Sequence, residues 1–306
     1  MNPQVYGPAN DADSLQVLHH ALDTGCTFWD TADIYANEDL LAQVLHLRRN
    51  EVFLCTKFGN QRDPVTKAYL GVNGTPEYVR KCCDDSLRRL GVSCIDLYYQ
   101  HRVDRKTPIE ETVRAMAELV KEGKVRYLGL SECSAETLRR ACKVHPIAAV
   151  QVEYSPWTLD IETNGLLAAA RELGVAIVAY SPLGRGFLTG AIKSLDDLDP
   201  SDSRRHSPRF SPDNFANNLA LVDKIQQIAA KKGCLPSQFV LAWVLAQGDD
   251  FIVIPGTKRA KYLDENRGAL DVSITKEDMD AMHEAINSTS VLGQRYAAVH
   301  MANLNL

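Results

Sequence analysis

The sequence predicts an α/β fold, a (β/α)8 TIM barrel, and three observations support it. Seven short apolar runs of strand length alternate with segments whose apolar residues recur at helical spacing. The runs are continuously apolar, as expected for parallel strands buried on both faces. Ionisable residues follow three of the runs, at the strand ends where barrel enzymes carry their catalytic groups. A doubly wound nucleotide-binding sheet would require G-x-G-x-x-G after the first run, and that motif is not present there.

The elements are predicted in the following order. The strand candidates are 27–30, 52–57, 95–99, 125–130, 148–153, 175–179 and 252–254. Amphipathic helices are predicted from Ser14, from the N-cap Thr75 to Gly91, and from Ile109 to Gly123. The alternation of strand and helix indicates right-handed crossovers and a parallel sheet.

Composition indicates a single domain and excludes several functional classes. The chain has 306 residues, of which 45% are hydrophobic and 24% charged, and we expect residues 1–306 to form one barrel domain. A net charge of -5 and a pI of about 5.9 argue against binding to nucleic acid or an anionic membrane. The spacing of the eight cysteines does not match a zinc site, so no metal site is predicted. The sequence shows no secretory signal and no apolar run of about 18 residues, so a cytoplasmic protein is predicted.

Polar side chains follow three predicted strands directly. Asp30 and Tyr35 follow the first, Lys57 ends the second, and His101 follows the third. A lysine ammonium lowers the pKa of a nearby tyrosine, which is about 10 in the free side chain; an aspartate holds that lysine, and a neutral histidine orients a carbonyl. Each residue alone is more often structural, as a solvated lysine, a packed aromatic, a turn former or a hydrogen-bonding histidine. Their recurrence at successive strand ends predicts a proton-donating site.

Several motifs together resemble one enzyme family. They are WDTADIY, NEDLL, CTKFG, IDLYYQHRVD, EGKVRYLGLSECS, VQVEYSPW, AYSPLGRGFLTG and IPGTKRAKYLDEN. The chain resembles the aldo-keto reductase superfamily from about residue 6 to about residue 301. The similarity is greatest to the fungal, plant and bacterial NADP-dependent branch, which includes pyridoxal reductase-like and auxin-induced-protein-like members.

The resemblance implies an enzyme that reduces an aldehyde or ketone to an alcohol by hydride transfer from NADPH. Tyr35 is then the general acid, and Lys57 lowers its pKa. Asp30 anchors the lysine, and His101 orients the substrate carbonyl.

The resemblance also implies the residues that hold NADP(H). They are Ser131, Glu132, Gln151, Tyr180, Ser181, Leu183, Gly184, Arg185, Gly256, Thr257, Lys258, Arg259, Glu265 and Asn266. Ser131 and Gln151 bind the nicotinamide carboxamide, and Tyr180 stacks on the ring. Many family members have asparagine where this chain has Glu132, which can accept a hydrogen bond from the carboxamide but cannot donate one.

The phosphate groups are assigned to two glycine-containing segments. The 181–186 loop wraps the pyrophosphate through backbone N–H groups. The 256–259 segment begins a helix, and Lys258 and Arg259 suit the ribose 2′-phosphate. Glu265 and Asn266 reach the adenine.

The substrate pocket is the least defined part of the prediction. Phe58 and Trp157 are candidates for its walls, although aromatic residues after strands are equally often core. The irregular stretch 190–215 is typical of a binding loop, and its Arg204–Phe210 segment is the candidate cover.

The strand count leads to one structural hypothesis and keeps two alternative functions open. Seven strands are found where the family has eight, so we expect a barrel without its N-terminal hairpin and first strand, with exposed edges and weakened activity. A Schiff-base aldolase would use Lys57 as its nucleophile. A non-enzymatic redox sensor would bind NADPH and turn over slowly.

Overall fold

The structure is a computed structural model that describes residues 10–306. Its main sheet has seven strands: β1 (Phe28–Asp30), β2 (Phe53–Phe58), β5 (Ile95–Gln100), β6 (Val125–Ser131), β7 (Ala149–Glu153), β8 (Ala176–Tyr180) and β9 (Phe251–Val253). They are hydrogen-bonded in the order β1-β2-β5-β6-β7-β8-β9, and the ladder from β1 through β7 is parallel. All seven predicted strands are confirmed, and no strand end differs from its prediction by more than one residue.

Helices occupy the segments before, between and after the strands. Their bounds are α1 (Asp11–Asp23), α2 (Glu38–Arg48), α3 (Pro76–Leu90), α4 (Ile109–Lys121), α5 (Ala135–Val144), α6 (Asp160–Thr163), α7 (Leu166–Leu173), α8 (Pro212–Lys232), α9 (Pro236–Leu245), α10 (Ala260–Arg267), α11 (Lys276–Asn287) and α12 (Ala298–Met301). The three predicted helices are confirmed. Thr75 caps α3 by accepting a hydrogen bond from the Tyr78 backbone N–H, and left-handed Gly91 ends it.

A two-stranded antiparallel hairpin was not predicted. Its strands are β3 (Asn60–Arg62) and β4 (Tyr69–Val72), and they follow the strand that carries Lys57. The register shifts between Gln61 and Arg62. The polar sequence of β3 lacks the apolar alternation by which a strand is normally recognised, so the pattern gave no signal.

The chain forms two compact units. The N-terminal unit comprises Ser14–Val152, Ile161–Ile177 and Asn303–Leu306. The C-terminal unit comprises Glu153–Asp160 and Val178–Ala302, with residues 10–13. The expectation of one domain over residues 1–306 stays a prediction.

The parallel strands of the N-terminal unit are buried, which explains their apolar sequences. Every residue of β5 is buried, and so are five of the six residues of β2. Tyr99 on β5 lies opposite Gly129 on β6, where a Cβ atom would come within 2.4 Å of the tyrosine ring. The strand ends are therefore fixed by a close-packed core, which gives the residues that follow them defined positions.

The prediction of a missing first strand agrees with the described residues. Helix α1 precedes β1, and the main sheet has seven strands over residues 10–306. Residues 1–9, on which part of this prediction falls, lie outside the described residues. Over the described part of the chain, no helix combines the length and apolar character that crossing a membrane requires.

Candidate active site

The four predicted catalytic residues all belong to the N-terminal unit and lie at the ends of adjacent strands. Asp30 is the last residue of β1, and Lys57 is the fifth of the six residues of β2. His101 directly follows β5, and its backbone N–H donates to the carbonyl oxygen of Phe58 at 2.7 Å. Tyr35 ends a 3-10 turn, Asp33–Tyr35, between extended Ala32 and left-handed Ala36.

Lys57 is the centre of the cluster. Its side chain is fully buried, and its ammonium donates to the Asp30 carboxylate and, at 2.8 Å, to the Thr31 carbonyl oxygen. Burial alone would lower the pKa of Lys57, but charge interactions, first with Asp30 and then with Tyr35, outweigh it, so the pKa is raised. The ammonium lies 5.0 Å from the centroid of the Tyr35 ring. The site therefore holds a permanent cation beside the tyrosine.

His101 is held neutral. It is 7% exposed, and its ring meets that of Tyr35 edge-on, with centroids 5.7 Å apart. Burial, with the nearby Arg102 and Lys57 cations, places the pKa of His101 well below its usual value of 6.5. Among the described residues, its Nδ1 atom has no hydrogen-bond partner. A neutral imidazole can donate one hydrogen bond to a carbonyl oxygen, as predicted.

Of the residues predicted to hold the carboxamide, Gln151 contacts the catalytic cluster directly, and Ser131 contacts Arg102, the neighbour of His101. The Gln151 side-chain Nε2 donates to Asp30 at 2.8 Å, and the Gln151 carbonyl accepts from the Glu132 backbone N–H at 3.0 Å. Ser131 is the last residue of β6, is buried, and its hydroxyl accepts from Arg102 at 3.4 Å. Glu132 is buried and has a left-handed backbone, with φ at +53°.

The 181–186 loop belongs to the C-terminal unit and reverses direction tightly. Ser181, Gly184, Arg185 and Gly186 have φ values of +50°, +56°, +57° and +91°. A Cβ atom at Gly184 would lie 3.0 Å from both Leu188 and Trp157, so this position requires glycine. The N–H groups of Gly184 and Gly186 donate within the loop, to Ser181 and Leu183.

Tyr180 ends β8 and lies in the same unit. Its hydroxyl is 3.1 Å from that of Tyr296, a residue that the sequence did not single out. The Arg185 guanidinium lies over the Tyr296 ring, 4.5 Å from its centroid. The Arg185 side chain therefore helps to fix the tyrosine pair.

The 256–259 segment is also part of the C-terminal unit and leads into α10. Arg259 is the N-cap residue and is exposed, and its backbone N–H donates to the Thr257 hydroxyl at 3.1 Å. Burial is the main cause that lowers the pKa of Lys258; the Asp202 carboxylate opposes it, and the Arg204 and Arg259 cations add to it. Glu265 on α10 accepts a hydrogen bond from the Ser237 hydroxyl, and Asn266 follows it. Gly256 is exposed.

The two predicted pocket residues lie in different units. Phe58 has no exposed surface and stacks on Tyr98 at 5.0 Å between centroids, so it contributes to the core of the N-terminal unit. Trp157 lies in the C-terminal unit, 4.4 Å from Phe187, and lines a small cavity. That cavity is also lined by Glu153, Arg185, Arg209 and Phe210.

The Arg204–Phe210 segment is folded into two 3-10 turns, Ser203–His206 and Pro208–Phe210. Arg204 binds Asp202 and donates to the Arg185 carbonyl at 2.7 Å. Arg209 donates to Thr158 at 2.8 Å and pairs with Glu153 at 3.3 Å. These bonds attach the candidate cover to the 181–186 loop and to Glu153 within the C-terminal unit.

The comparison with known protein families bears on this arrangement. A model described as the aldo/keto reductase family matches residues 1–287. The chain belongs to the aldo/keto reductase family.

Relatives and solved structures agree with this membership. The chain is 55% identical over 293 residues to the aldo-keto reductase str7 of Strobilurus tenacellus, covering 94% of this chain and 85% of that protein. It is 50% identical over 299 residues to the aldo-keto reductase yakc of Schizosaccharomyces pombe, covering 95% and 88%. A glycerol dehydrogenase from Gluconobacter oxydans has a TM-score of 0.84 at 30% identity, with 94% of this chain and 89% of that chain covered.

A second solved structure resembles this aldo/keto reductase in fold. It is an aldo/keto reductase from Klebsiella pneumoniae, with a TM-score of 0.73, 24% identity and coverage of 94% and 89%. The family match and the glycerol dehydrogenase confirm the predicted barrel class, with seven main-sheet strands over the described residues.

The structure of this aldo/keto reductase also adds residues that the sequence reasoning missed. Asp33 lies between Asp30 and Tyr35 in the chain, and burial followed by the Glu38 carboxylate raises its pKa from 3.8 to about 7. Arg102 adjoins His101 and bonds to Ser131. Asp33 lies in the WDTADIY motif and Arg102 in the IDLYYQHRVD motif, but their burial and contacts depend on the fold.

Proposed function

We propose that this aldo/keto reductase reduces an aldehyde or ketone with NADPH, and that Tyr35 donates the proton. The observation that carries the proposal is the buried Lys57 ammonium, bound by Asp30 and 5.0 Å from the Tyr35 ring. A fixed cation stabilises the phenolate that remains after Tyr35 gives its proton to the carbonyl oxygen. Because Lys57 is buried and ion-paired, this stabilisation is not lost to solvent screening.

The neutral His101 complements the tyrosine. Its depressed pKa keeps it from competing as a charged acid near pH 7, so it can donate a hydrogen bond that orients the carbonyl oxygen toward Tyr35. The edge-on packing of the two rings keeps them in a fixed relation. Orientation of this kind contributes to catalysis by limiting the substrate to a reactive geometry.

The residues present fit a nicotinamide dinucleotide. Because Gln151 donates its Nε2 to Asp30, its Oε1 is the atom that can accept from a carboxamide NH2, and Ser131 offers a hydroxyl beside it. Tyr180 offers a ring held by Tyr296. When bound, NADPH supplies the hydride that is added to the carbonyl carbon.

The phosphate groups have matching cations in the C-terminal unit. The half-buried Lys258 ammonium interacts with the Arg204 and Arg259 cations as well as with the Asp202 and Asp199 carboxylates, so a phosphate beside Lys258 would meet several cations. The N-terminus of α10 adds its dipole. We therefore expect NADPH to bind more tightly than NADH. The Schizosaccharomyces pombe relative is named as an NADP(+) enzyme, which supports this expectation.

The aldolase alternative is disfavoured by the same geometry. A Schiff-base nucleophile must be an unprotonated amine, whereas Asp30 raises the pKa of Lys57 and keeps it an ammonium. A redox sensor differs from a reductase in turnover rather than in the residues present, so turnover must be measured.

The test is a fluorescence titration of the purified chain with NADPH and with NADH, followed by a panel of aldehydes and ketones. We expect NADPH to be preferred and to be oxidised when a carbonyl compound is added. Tyr35→Phe should bind NADPH normally and lose about 10²- to 10⁴-fold in kcat. Binding without turnover in the unmodified chain would favour the sensor, and full activity in Tyr35→Phe would exclude Tyr35 as the proton donor.

A further inference from the structure

The segment Asn303–Leu306 lies against the loop that follows β6. The backbone N–H of Ser134 donates to the Leu306 carbonyl at 2.7 Å. The backbone N–H of Asn305 donates to the Glu132 carbonyl at 2.9 Å. Two backbone hydrogen bonds therefore join this segment, here called the 303–306 segment, to the loop that begins at the end of β6.

Side-chain contacts hold the 303–306 segment at two further points. Leu304 is buried, with 8% of its surface exposed. The Asn303 side-chain amide donates to the Tyr69 hydroxyl at 3.3 Å, on strand β4 of the hairpin. Asn305 itself is exposed, so its contribution comes from its backbone. All of these residues belong to the N-terminal unit.

Glu132 is the residue that needs such support. Its φ is +53°, a region that a residue with a Cβ atom enters at a cost in free energy. Asparagine enters this region more readily than glutamate because its short side chain can bond locally to the backbone. Two hydrogen bonds hold Glu132 from opposite sides: its N–H donates to Gln151 at 3.0 Å, and its carbonyl accepts from Asn305.

We propose that the 303–306 segment is a positioning element that keeps Glu132 in its left-handed conformation and thereby sets the carboxamide end of the cofactor site. The inference rests on the proposed function, in which Ser131 and Gln151 bind the carboxamide. Ser131 directly precedes Glu132, and the Gln151 carbonyl accepts a hydrogen bond from the Glu132 N–H. A change in the Glu132 backbone therefore displaces both Ser131 and Gln151. The 303–306 segment acts through them and does not itself contact the substrate.

A matched pair of variants at one exposed position separates the backbone contribution. Asn305→Pro removes the N–H donor and cannot adopt the observed φ of +55°. Asn305→Gly keeps the donor and accepts that φ. We expect Asn305→Pro to raise the Kd for NADPH about tenfold, a change of about 1.4 kcal/mol in binding free energy. The Kd of Asn305→Gly should stay within about twofold of the unmodified chain.

The same pair in a Glu132→Gly background tests the mechanism. Glycine adopts a positive φ without support, so Asn305→Pro should then raise the Kd much less, by under about threefold. A purely structural role for the 303–306 segment predicts a lower melting temperature in both backgrounds and an unchanged Kd. That result, or an equal loss of affinity in both backgrounds, would overturn the proposal.

Hydrogen exchange of the peptide containing residues 131–134 separates this inference from the function on which it rests. We expect the Glu132 and Ser134 amides to exchange faster in Asn305→Pro than in Asn305→Gly, with no cofactor present. If the unmodified chain fails to bind NADPH, the proposed function fails, and the cofactor part of this proposal fails with it. Unchanged exchange overturns the positioning role by itself, whatever the chain binds.

Discussion

At the scale of single residues, the catalytic cluster and its surroundings differ in how their charges are compensated. Lys57 is buried and ion-paired with Asp30, so its charge is retained. Asp33, the first residue of the 3-10 turn that ends at Tyr35, has no comparable pairing: its Oδ1 is buried without a partner among the described residues. Burial and the Glu38 carboxylate raise the pKa of Asp33 to about 7, so this residue couples the stability of the site to pH.

The sign of that coupling follows from proton binding. Between pH 3.8 and about 7, the folded chain holds a proton on Asp33 that the unfolded chain has released, so the free energy of unfolding falls as pH rises. Above about pH 7 the free energy of unfolding lost through Asp33 no longer changes with pH. We expect Asp33→Asn to be more stable than the unmodified chain by about 2 kcal/mol at pH 8, half of the full linkage value because the residue is half-buried, and by much less at pH 5.

Urea unfolding at the two pH values measures this difference. Asp39→Asn, at an exposed position in the first turn of the adjacent helix α2, is the control: it loses a favourable interaction with the helix dipole, so its effect should be small and equal at the two pH values. Comparing variants at the same pH cancels the titration of all other groups. Equal stabilisation by Asp33→Asn at pH 5 and pH 8 would contradict a raised pKa at Asp33.

The residue scale also shows what the sequence could predict. Asp30, Tyr35, Lys57 and His101 were predicted from their places after apolar runs, and the structure brings them together. The hydrogen bond from Gln151 to Asp30 joins residues 121 positions apart, so no local pattern could reveal it. Burial of Asp33 was likewise invisible, because an acidic residue in a polar turn is usually solvated.

At the scale of elements, strands and helices with strong periodic signals were predicted and the hairpin was not. Strand β5, a continuous apolar run, was placed within one residue. Strand β3 is polar throughout, and it pairs with β4 across a register shift that depends on the chain between them. Turn residues and polar strands take their conformation from tertiary contacts, which sequence periodicity does not encode.

A close approach between β5 and β6 gives a prediction at this scale. A Cβ atom at Gly129 would lie 2.4 Å and 2.5 Å from two ring atoms of Tyr99, which is fully buried. The ring has no free space, so Gly129→Ala must displace it or the strand. We expect a loss of about 1–3 kcal/mol in the free energy of unfolding, measured with urea.

A second substitution identifies the cause of that loss. Tyr99→Leu removes the ring atoms that the new methyl group would meet, at the cost of a cavity of its own. In that background, Gly129→Ala should lower the free energy of unfolding by at least about 1 kcal/mol less than it does in the unmodified chain. A difference of this size is the coupling energy expected for two residues in contact. Simple additivity of the two changes would mean that the glycine is required for another reason.

At the scale of the whole molecule, cofactor binding is linked to the stability of the folded chain. A ligand that binds only the folded chain stabilises it by mass action, by about 2.7 kcal/mol at one hundred times its Kd. Melting temperature therefore reports binding without any assumption about catalysis.

The last prediction uses this linkage to test recognition of the 2′-phosphate. We expect NADP(+) at about one hundred times its Kd to raise the melting temperature by about 5 °C. Lys258→Ala and Arg259→Ala should each weaken NADP(+) binding about tenfold, because each removes a charged hydrogen-bond donor, and should leave the effect of NAD(+) unchanged. At the same NADP(+) concentration the stabilisation then falls by about half.

Lys261→Ala, on the exposed surface of α10, is the matched control. If all three variants lose the NADP(+) effect equally, general positive charge at this helix, rather than the two named side chains, determines the preference.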